Sequence, residues 1–122
     1  MDKFNSKNLI ELNDFLYNSY IHDALIEKQY YNEEEKQCII EIFNHIYNKG
    51  YMFVFTGVEE VKHIKGNWIG SNKQINTLVC ENDSETKDSL YLYFEMISGD
   101  GIEITAETVY ADEISELGMV HK

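Results

Sequence analysis

The sequence has only two cysteines and lacks both arginine and any long apolar run. Two thiols cannot build the disulfide framework of a small secreted domain, and Cys38 and Cys80 lie in apolar stretches, where a thiol packs as a small hydrophobic group. We therefore expect both to be reduced core residues. Nowhere do about 18 apolar residues run together, as a membrane-spanning helix requires. Residues 1–7 contain no apolar core of a secretory signal, so we expect a cytoplasmic protein that does not bind membranes.

The shortage of positive charge also bears on partners. The 10 basic residues are all lysines and stand against 22 acidic residues, which gives a formal net charge of −12. A surplus of carboxylates opposes binding to a phosphate backbone or to an anionic membrane, so neither nucleic acid nor membrane is expected as a partner. A basic protein is the electrostatic complement. The alternative, that the acidity only keeps the protein soluble, stays open.

Length and hydrophobicity predict a single domain over residues 1–122. With 43% hydrophobic residues, the chain is long enough to bury about two-thirds of its unfolded surface around one core. Ser6 can cap a helix, and apolar residues then recur at helical spacing, which predicts one helix over about 7–17. A β-rich part is expected over about 21–114, followed by a frayed tail over 115–122.

Downstream of residue 20 the hydrophobic period is two, which is typical of strands. We predict about six strands, at 21–31, 37–46, 51–56, 75–80, 89–97 and from 102 onward. Residues 51–56 are apolar on both sides and should form the most buried, central strand. In the second strand the pattern places Cys38, Ile40, Ile42 and Ile46 on the core side and Gln37, Glu41 and His45 outside.

The resulting fold class is α+β, with an N-terminal helix packed on a mainly antiparallel β-sheet of about six strands. Residues 58–72 remain ambiguous, because Val58, Val61 and Ile64 are spaced by three and are compatible with a strand, a helical turn or a loop. The charged run from Glu81 to Asp88 is expected to be an exposed hairpin loop.

No spacing of residues matches a catalytic or metal-binding signature, so the sequence predicts no catalytic residue, metal ligand or cofactor and indicates a protein that is not an enzyme. His22 and Asp23 form one candidate polar site, since a histidine beside a carboxylate can act as a general base or a metal ligand. The alternative for this pair is a capping role at the junction between the helix and the first strand.

A second candidate site is a partner-binding surface. Tyr91, Tyr93 and Glu95 share one face of a predicted strand, and Glu59 and Glu60 add negative charge. Tyrosine combines a large contact area with a hydrogen-bonding tip and is enriched in protein interfaces. The alternative is that the tyrosines form cross-strand pairs that stabilise the sheet. A homodimer formed through an exposed edge strand is compatible with either interpretation.

Three stretches carry a resemblance to a known group of proteins: residues 19–26 (SYIHDALI), 53–58 (FVFTGV) and 101–106 (GIEITA). They resemble small bacterial proteins, several of them immunity proteins of polymorphic toxin systems, in which a His-Asp pair precedes the first strand and an aromatic strand ends in Gly-Val. The resemblance implies a cytoplasmic binding protein and supplies no catalytic residues.

Three functions are therefore open. The first is an interaction module that binds a basic protein, possessing no enzymatic activity and acting as an immunity-type protein. The second is a small-ligand carrier or sensor with a pocket between helix and sheet near Trp68. The last is a hydrolase that uses His22 and Asp23.

Overall fold

Alternating hydrophobicity makes most of this chain a sheet. A computed structural model of the chain describes residues 2–17, 20–67, 69–82 and 89–114. Within them, a 3-10 turn over Ser6–Asn8 leads into helix α1 (Leu9–Leu16). The strands are β1 (Asp2–Phe4), β2 (Leu25–Asn32), β3 (Gln37–Asn44), β4 (Lys49–Ile64), β5 (Ile75–Asn82), β6 (Leu90–Met96) and β7 (Gly101–Ile114). The predicted helix-on-sheet arrangement is confirmed.

The described residues form seven strands, where about six were predicted. All pairs are antiparallel, in the order β2-β3-β4-β7-β6-β5, and β1 pairs with β7 over Val109–Ala111, beyond the end of the β6 ladder. The strand missed from the sequence is β1, because three residues are too few to show an alternation. The trailing residues 115–122, the stretch 83–88 and Trp68 lie outside the described residues.

The two outer strands of this order meet at one end. Backbone bonds run from Ile26 N–H to the Lys73 carbonyl, from Ile75 N–H to the Ala24 carbonyl, and from Asp23 N–H to the Ile75 carbonyl. They join the start of β2 to the start of β5. The sheet therefore curls round on itself, and α1 packs beside β5.

The inner surface of the curled sheet forms the core. Ile40, Phe53 and Ile104 are each 0% exposed, as their alternation predicts, and Leu12 and Leu16 of α1 pack into the same cluster. Phe53 contacts Phe15, Phe55 and Phe94. Strand β4 lies between β3 and β7, so the prediction that residues 51–56 occupy the interior of the sheet is confirmed.

The ambiguous residues 58–64 continue β4 beyond a bulge. Gly57 has a φ of 61°, and the register runs from Val58 opposite Ala106 to Glu60 opposite Thr105, so that Glu59 is the extra residue. The insertion turns both Val58 and Val61 towards the core although they are three positions apart. A helical spacing thus arises inside a strand.

Three local predictions were wrong. Ser6 does not cap the helix: Asn5 caps the 3-10 turn by accepting from Lys7 N–H, and the N-cap residue of α1 is Asn8. Ile46 was assigned to the core but is 82% exposed, because β3 ends at Asn44. Glu41 was assigned to the outside; it is only 1% exposed, and its Oε2 lies 3.6 Å from the Lys28 ammonium.

Cys38 and Cys80 are free and buried, as predicted from their apolar surroundings. Burial raises the pKa of the Cys38 thiol to about 11 and that of Cys80 to about 12. Both are therefore protonated and weakly nucleophilic at neutral pH. In the part of the chain that the structure describes, none of the helical segments has the length and apolar character needed to cross a membrane.

Candidate functional site

The outer surface of four adjacent strands brings together tyrosines and carboxylates from distant parts of the sequence. Strand register aligns them in two rows across β4, β7, β6 and β5. The first row is Glu60, Thr105, Tyr91 and Glu81, and the second is Lys62, Glu103, Tyr93 and Val79. Glu95 lies beside the second row, opposite Thr77. We call Glu60, Glu81, Tyr91, Tyr93, Glu95 and Glu103 the acidic–aromatic face.

Tyr91 is held in place by its neighbour on β7. Its phenol O–H donates a hydrogen bond to the Glu103 carboxylate, which can only accept. Partial burial and this bond raise the pKa of Tyr91 above its usual range. The hydroxyl is therefore neutral at physiological pH and can donate a hydrogen bond.

Tyr93 packs against a glycine. A Cβ built on Gly101 would come within 2.6 Å of Tyr93 Cε1, so the ring covers the backbone of β7 where a side chain is missing. Partial burial raises the pKa of Tyr93, and the carboxylates of Glu95 and Glu103 raise it further. One side of this ring stabilises the sheet, and the residue is only partly buried.

The sequence-derived partner surface is assembled in part. Tyr91, Tyr93 and Glu95 share the outer side of β6, and Glu60 joins them across β7. Glu59 is the extra residue of the β4 bulge and lies outside the two rows, but it accepts a hydrogen bond at 3.2 Å from Ser89 Oγ, two residues before Tyr91. Glu103 was missed. The clean alternation of Ile102 and Ile104 around it, combined with the hairpin between β6 and β7, would have placed it beside the tyrosines.

The His22–Asp23 pair lies elsewhere, in the turn before β2. His22 Nδ1 is 3.2 Å from Asp23 Oδ2, and both side chains are about half exposed. Asp23 also accepts from Gln74 Nε2 at 3.3 Å, and its φ of 69° is left-handed. Within the described residues, no group of three or more His, Cys, Asp or Glu side chains could hold a metal ion. The pair thus links the turn to the segment preceding β5.

Two recesses accompany this surface. A groove of about 1020 Å³ lies between the end of α1, the β3–β4 turn and residues 76–79 of β5. We call it the edge groove, because β5 is the last strand of the sheet order. A smaller cavity of about 320 Å³ lies where β2 diverges from the β6–β7 turn, lined by Ile26, Met96 and Ile102 together with Gln29 and His63. Gln29 Nε2 and His63 Nε2 are 2.6 Å apart.

Comparison with known proteins finds a similar fold but assigns no function to the site. No protein-family model and no curated protein matches the chain. The fold is similar to that of a crystal structure of an uncharacterized protein from Neisseria gonorrhoeae, with a TM-score of 0.56 at 12% sequence identity. The match covers 75% of this chain and 91% of the other. Similarity at this level of identity is a likeness of fold alone.

Proposed function

We propose that the protein is a non-enzymatic interaction module whose acidic–aromatic face binds a positively charged surface of another protein. The observation that carries the proposal is the register of β4, β7, β6 and β5, which gathers four carboxylates around two tyrosines on one outer surface. Tyrosines supply contact area at low cost in side-chain entropy, and carboxylates supply the charge complementarity that steers a partner into place.

The charge balance of the face supports a basic partner. Lys62 is the cation within the two rows, and its ammonium is 3.5 Å from Glu60 Oε1, which leaves the face net negative. The chain carries −12 overall. Exposed charges act over about 8 Å at physiological salt, and Glu103 has Glu60 and Glu95 at diagonal positions on the two neighbouring strands, about 7–8 Å away, so the three carboxylates reinforce one another. We expect association to weaken as salt rises.

The finer assignment follows the resemblance to immunity proteins. On this proposal the chain acts in the cytoplasm and neutralises a basic toxin by covering its positive surface. Electrostatic steering suits this task, because fast capture matters when the partner is harmful. The resemblance and the charge are the support for this assignment.

Affinity capture with matched variants tests the proposal. Cytoplasmic extract of the source cells is passed over the immobilised wild-type protein and over the triple variant Glu60→Gln, Glu81→Gln and Glu103→Gln. The control is Glu33→Gln, Glu34→Gln and Glu35→Gln, which removes the same charge from the exposed β2–β3 turn. Proteins that wild type and control retain and the face variant loses are then identified, and each is purified for direct binding measurements.

The expected partner is basic, and the face variant binds it at least about tenfold more weakly, since each of the three charges, two exposed and one half-buried, contributes about 0.2–1 kcal/mol. Raising the salt should weaken wild-type binding. The proposal is abandoned if no basic protein distinguishes the face variant from the control, or if binding is insensitive to salt.

A small-ligand carrier is the second candidate, favoured by the cavity beside β2. Its volume of about 320 Å³ is within the range of small-molecule sites, and it is lined by apolar side chains, by Gln29 and His63, and by two acidic and two basic residues. The pocket predicted near Trp68 concerns a residue outside those described. A metabolite at 100 times its dissociation constant should add about 2.7 kcal/mol of stability in a thermal-shift screen. A screen without stabilising compounds would remove this candidate.

A further inference from the structure

The edge groove concentrates exposed apolar side chains. Tyr17 is 93% exposed at the end of α1, Ile46 and Tyr47 project from the β3–β4 turn, and Val79 is exposed on β5. All four line the same groove. Exposed apolar residues scattered singly need no explanation, but a group around one recess is typical of a binding site.

The charged groups of the edge groove are of one sign. Asp14 and Asp23 line it, together with His22, and no lysine is found among its described lining residues. The asparagines at 13, 44 and 76 supply polar groups. The groove therefore offers apolar contacts and negative charge, which complement a segment that carries both apolar and basic side chains.

The backbone of β5 provides a third feature. Asn13 Nδ2 donates to the Cys80 carbonyl at 3.0 Å, and Cys80 N–H donates to Asn13 Oδ1 at 3.2 Å, so both Cys80 groups point away from β6. In an antiparallel ladder, the backbone N–H and C=O groups of residues two apart point to the same edge of the strand. The N–H and C=O of Leu78 therefore face the groove.

The backbone groups of Leu78 lie between two positions of the β5 edge whose backbone groups are already hydrogen-bonded. At one end the backbone N–H and C=O of Ile75 bond to Ala24 and Asp23. At the other end the backbone N–H and C=O of Cys80 bond to the Asn13 carboxamide. Among the residues that the structure describes, none forms a hydrogen bond with the N–H or C=O of Leu78 on the edge facing away from β6. From Ile75 to Cys80 is five residue steps, or about 16 Å of strand. A short extended segment fits this gap.

We propose that the edge groove binds a short, extended, basic segment of a partner protein, which adds to β5 as an eighth strand by pairing with Leu78. Its apolar side chains contact Ile46, Tyr47 and Val79, and its basic side chains lie near Asp14 and Asp23. The identity of the partner as a basic protein rests on the proposed function; the mode of binding does not. Val79 also ends the second row of the acidic–aromatic face, so one partner can occupy both surfaces.

A synthetic peptide tests the groove directly. The probe is a fluorescein-labelled hexapeptide of alternating lysine and valine, and its binding to the full chain is followed by fluorescence anisotropy. Two further peptides carry N-methyl groups, one at every lysine and one at every valine. Alternate amides of a strand point to opposite edges, so only the methylated set that faces β5 should abolish pairing. We expect one methylated peptide to bind like the parent and the other at least about tenfold more weakly.

Matched protein variants locate the site. Asp14→Asn with Asp23→Asn should weaken peptide binding about fivefold to tenfold, whereas Glu33→Gln with Glu34→Gln removes equal charge from the β2–β3 turn and should leave it unchanged. Bound peptide should slow hydrogen exchange at the Leu78 amide by at least about tenfold. The proposal is overturned if no saturable binding occurs below about 1 mM, if both or neither of the methylated peptides lose binding, or if Leu78 exchange is unchanged.

The two proposals can fail separately. Peptide binding should be weakened less by the triple variant of the acidic–aromatic face than by Asp14→Asn with Asp23→Asn, and capture of the basic partner tests that face without the peptide. A partner that discriminates the face variant while the peptide results are negative retains the proposed function and eliminates strand addition. Peptide binding to the groove without any captured basic partner retains strand addition and eliminates the proposed function.

Discussion

Replacing Asn13 by alanine should destabilise the fold more than any other single change on the polar side of α1. The Asn13 carboxamide acts as a substitute strand, because it both donates to the Cys80 carbonyl and accepts from the Cys80 N–H. These bonds protect one position of the sheet edge from pairing with another chain. Alanine removes both bonds and leaves two backbone groups of β5 without their partners.

The size of the effect follows from these contacts. A partly buried backbone group that loses its partner costs about 1–3 kcal/mol, and water that reaches the edge will recover part of this, so the two groups together should cost about 2–4 kcal/mol. Alanine is the better helix former and returns up to about 0.7 kcal/mol. The free energy of unfolding should therefore fall by about 1.5–3 kcal/mol.

Urea unfolding at neutral pH, followed by circular dichroism, measures this loss. Asp14→Ala is the matched control, because it changes an exposed neighbouring position of α1 and gains similar helix propensity without touching β5. The m-value should be the same for both variants, so that the shift of the midpoint reports stability alone. If Asn13→Ala lies within about 0.5 kcal/mol of the control, the carboxamide does not hold the edge and the reasoning is refuted.

Three further outcomes are expected. Gly57→Ala should lower the unfolding free energy by about 1–2 kcal/mol and Gly57→Asn by less, measured by urea unfolding, because φ of 61° is left-handed and asparagine tolerates it better. The contribution of the two thiols to stability should be complete below about pH 9 and fall above it, by about 1.4 kcal/mol per pH unit for each thiol, because Cys38 and Cys80 keep their protons up to pKa values of about 11 and about 12 while unfolded thiols lose theirs near 9. A double Cys→Ala variant should lose this part of the slope. Phe53→Ala should cost about 3–5 kcal/mol by the same unfolding measurement, since the ring is fully buried against three other phenylalanines, whereas Val54→Ala on the opposite side of β4 should cost less.

Much of the sheet could be predicted because one side of it is the core. The residues Leu90, Leu92, Phe94 and Met96 alternate with polar or amphipathic neighbours, and all four are buried. Burial of one side of a strand requires a hydrophobic residue at every second position, and this pattern is visible in the sequence. The same reasoning placed Ile104 and located the turn before β7, where Gly99 has a φ of 86°.

The predictions that failed concern features that hydrophobic period does not encode. Alternation does not tell where a strand stops, so Ile46 was read as a continuation of β3 when the chain had already turned. Nor does it tell whether the outer side of a strand is covered, so Glu41 was placed in solvent although it is buried beside Lys28. Both errors come from tertiary packing overriding a local pattern.

The acidic–aromatic face was harder to find than the fold, for a reason of register. Glu60 and Tyr91 are 31 positions apart in the sequence, and they share one row only because each lies opposite Thr105, on either side of β7. A shift of one residue in either pairing would turn a carboxylate of this surface towards the core. The insertion of Glu59 sets the pairing of β4 with β7 beyond the bulge. The strand pattern could therefore predict that Tyr91, Tyr93 and Glu95 share one side of a strand, but the alignment of Glu60 with them depends on a single inserted residue that no local pattern reveals.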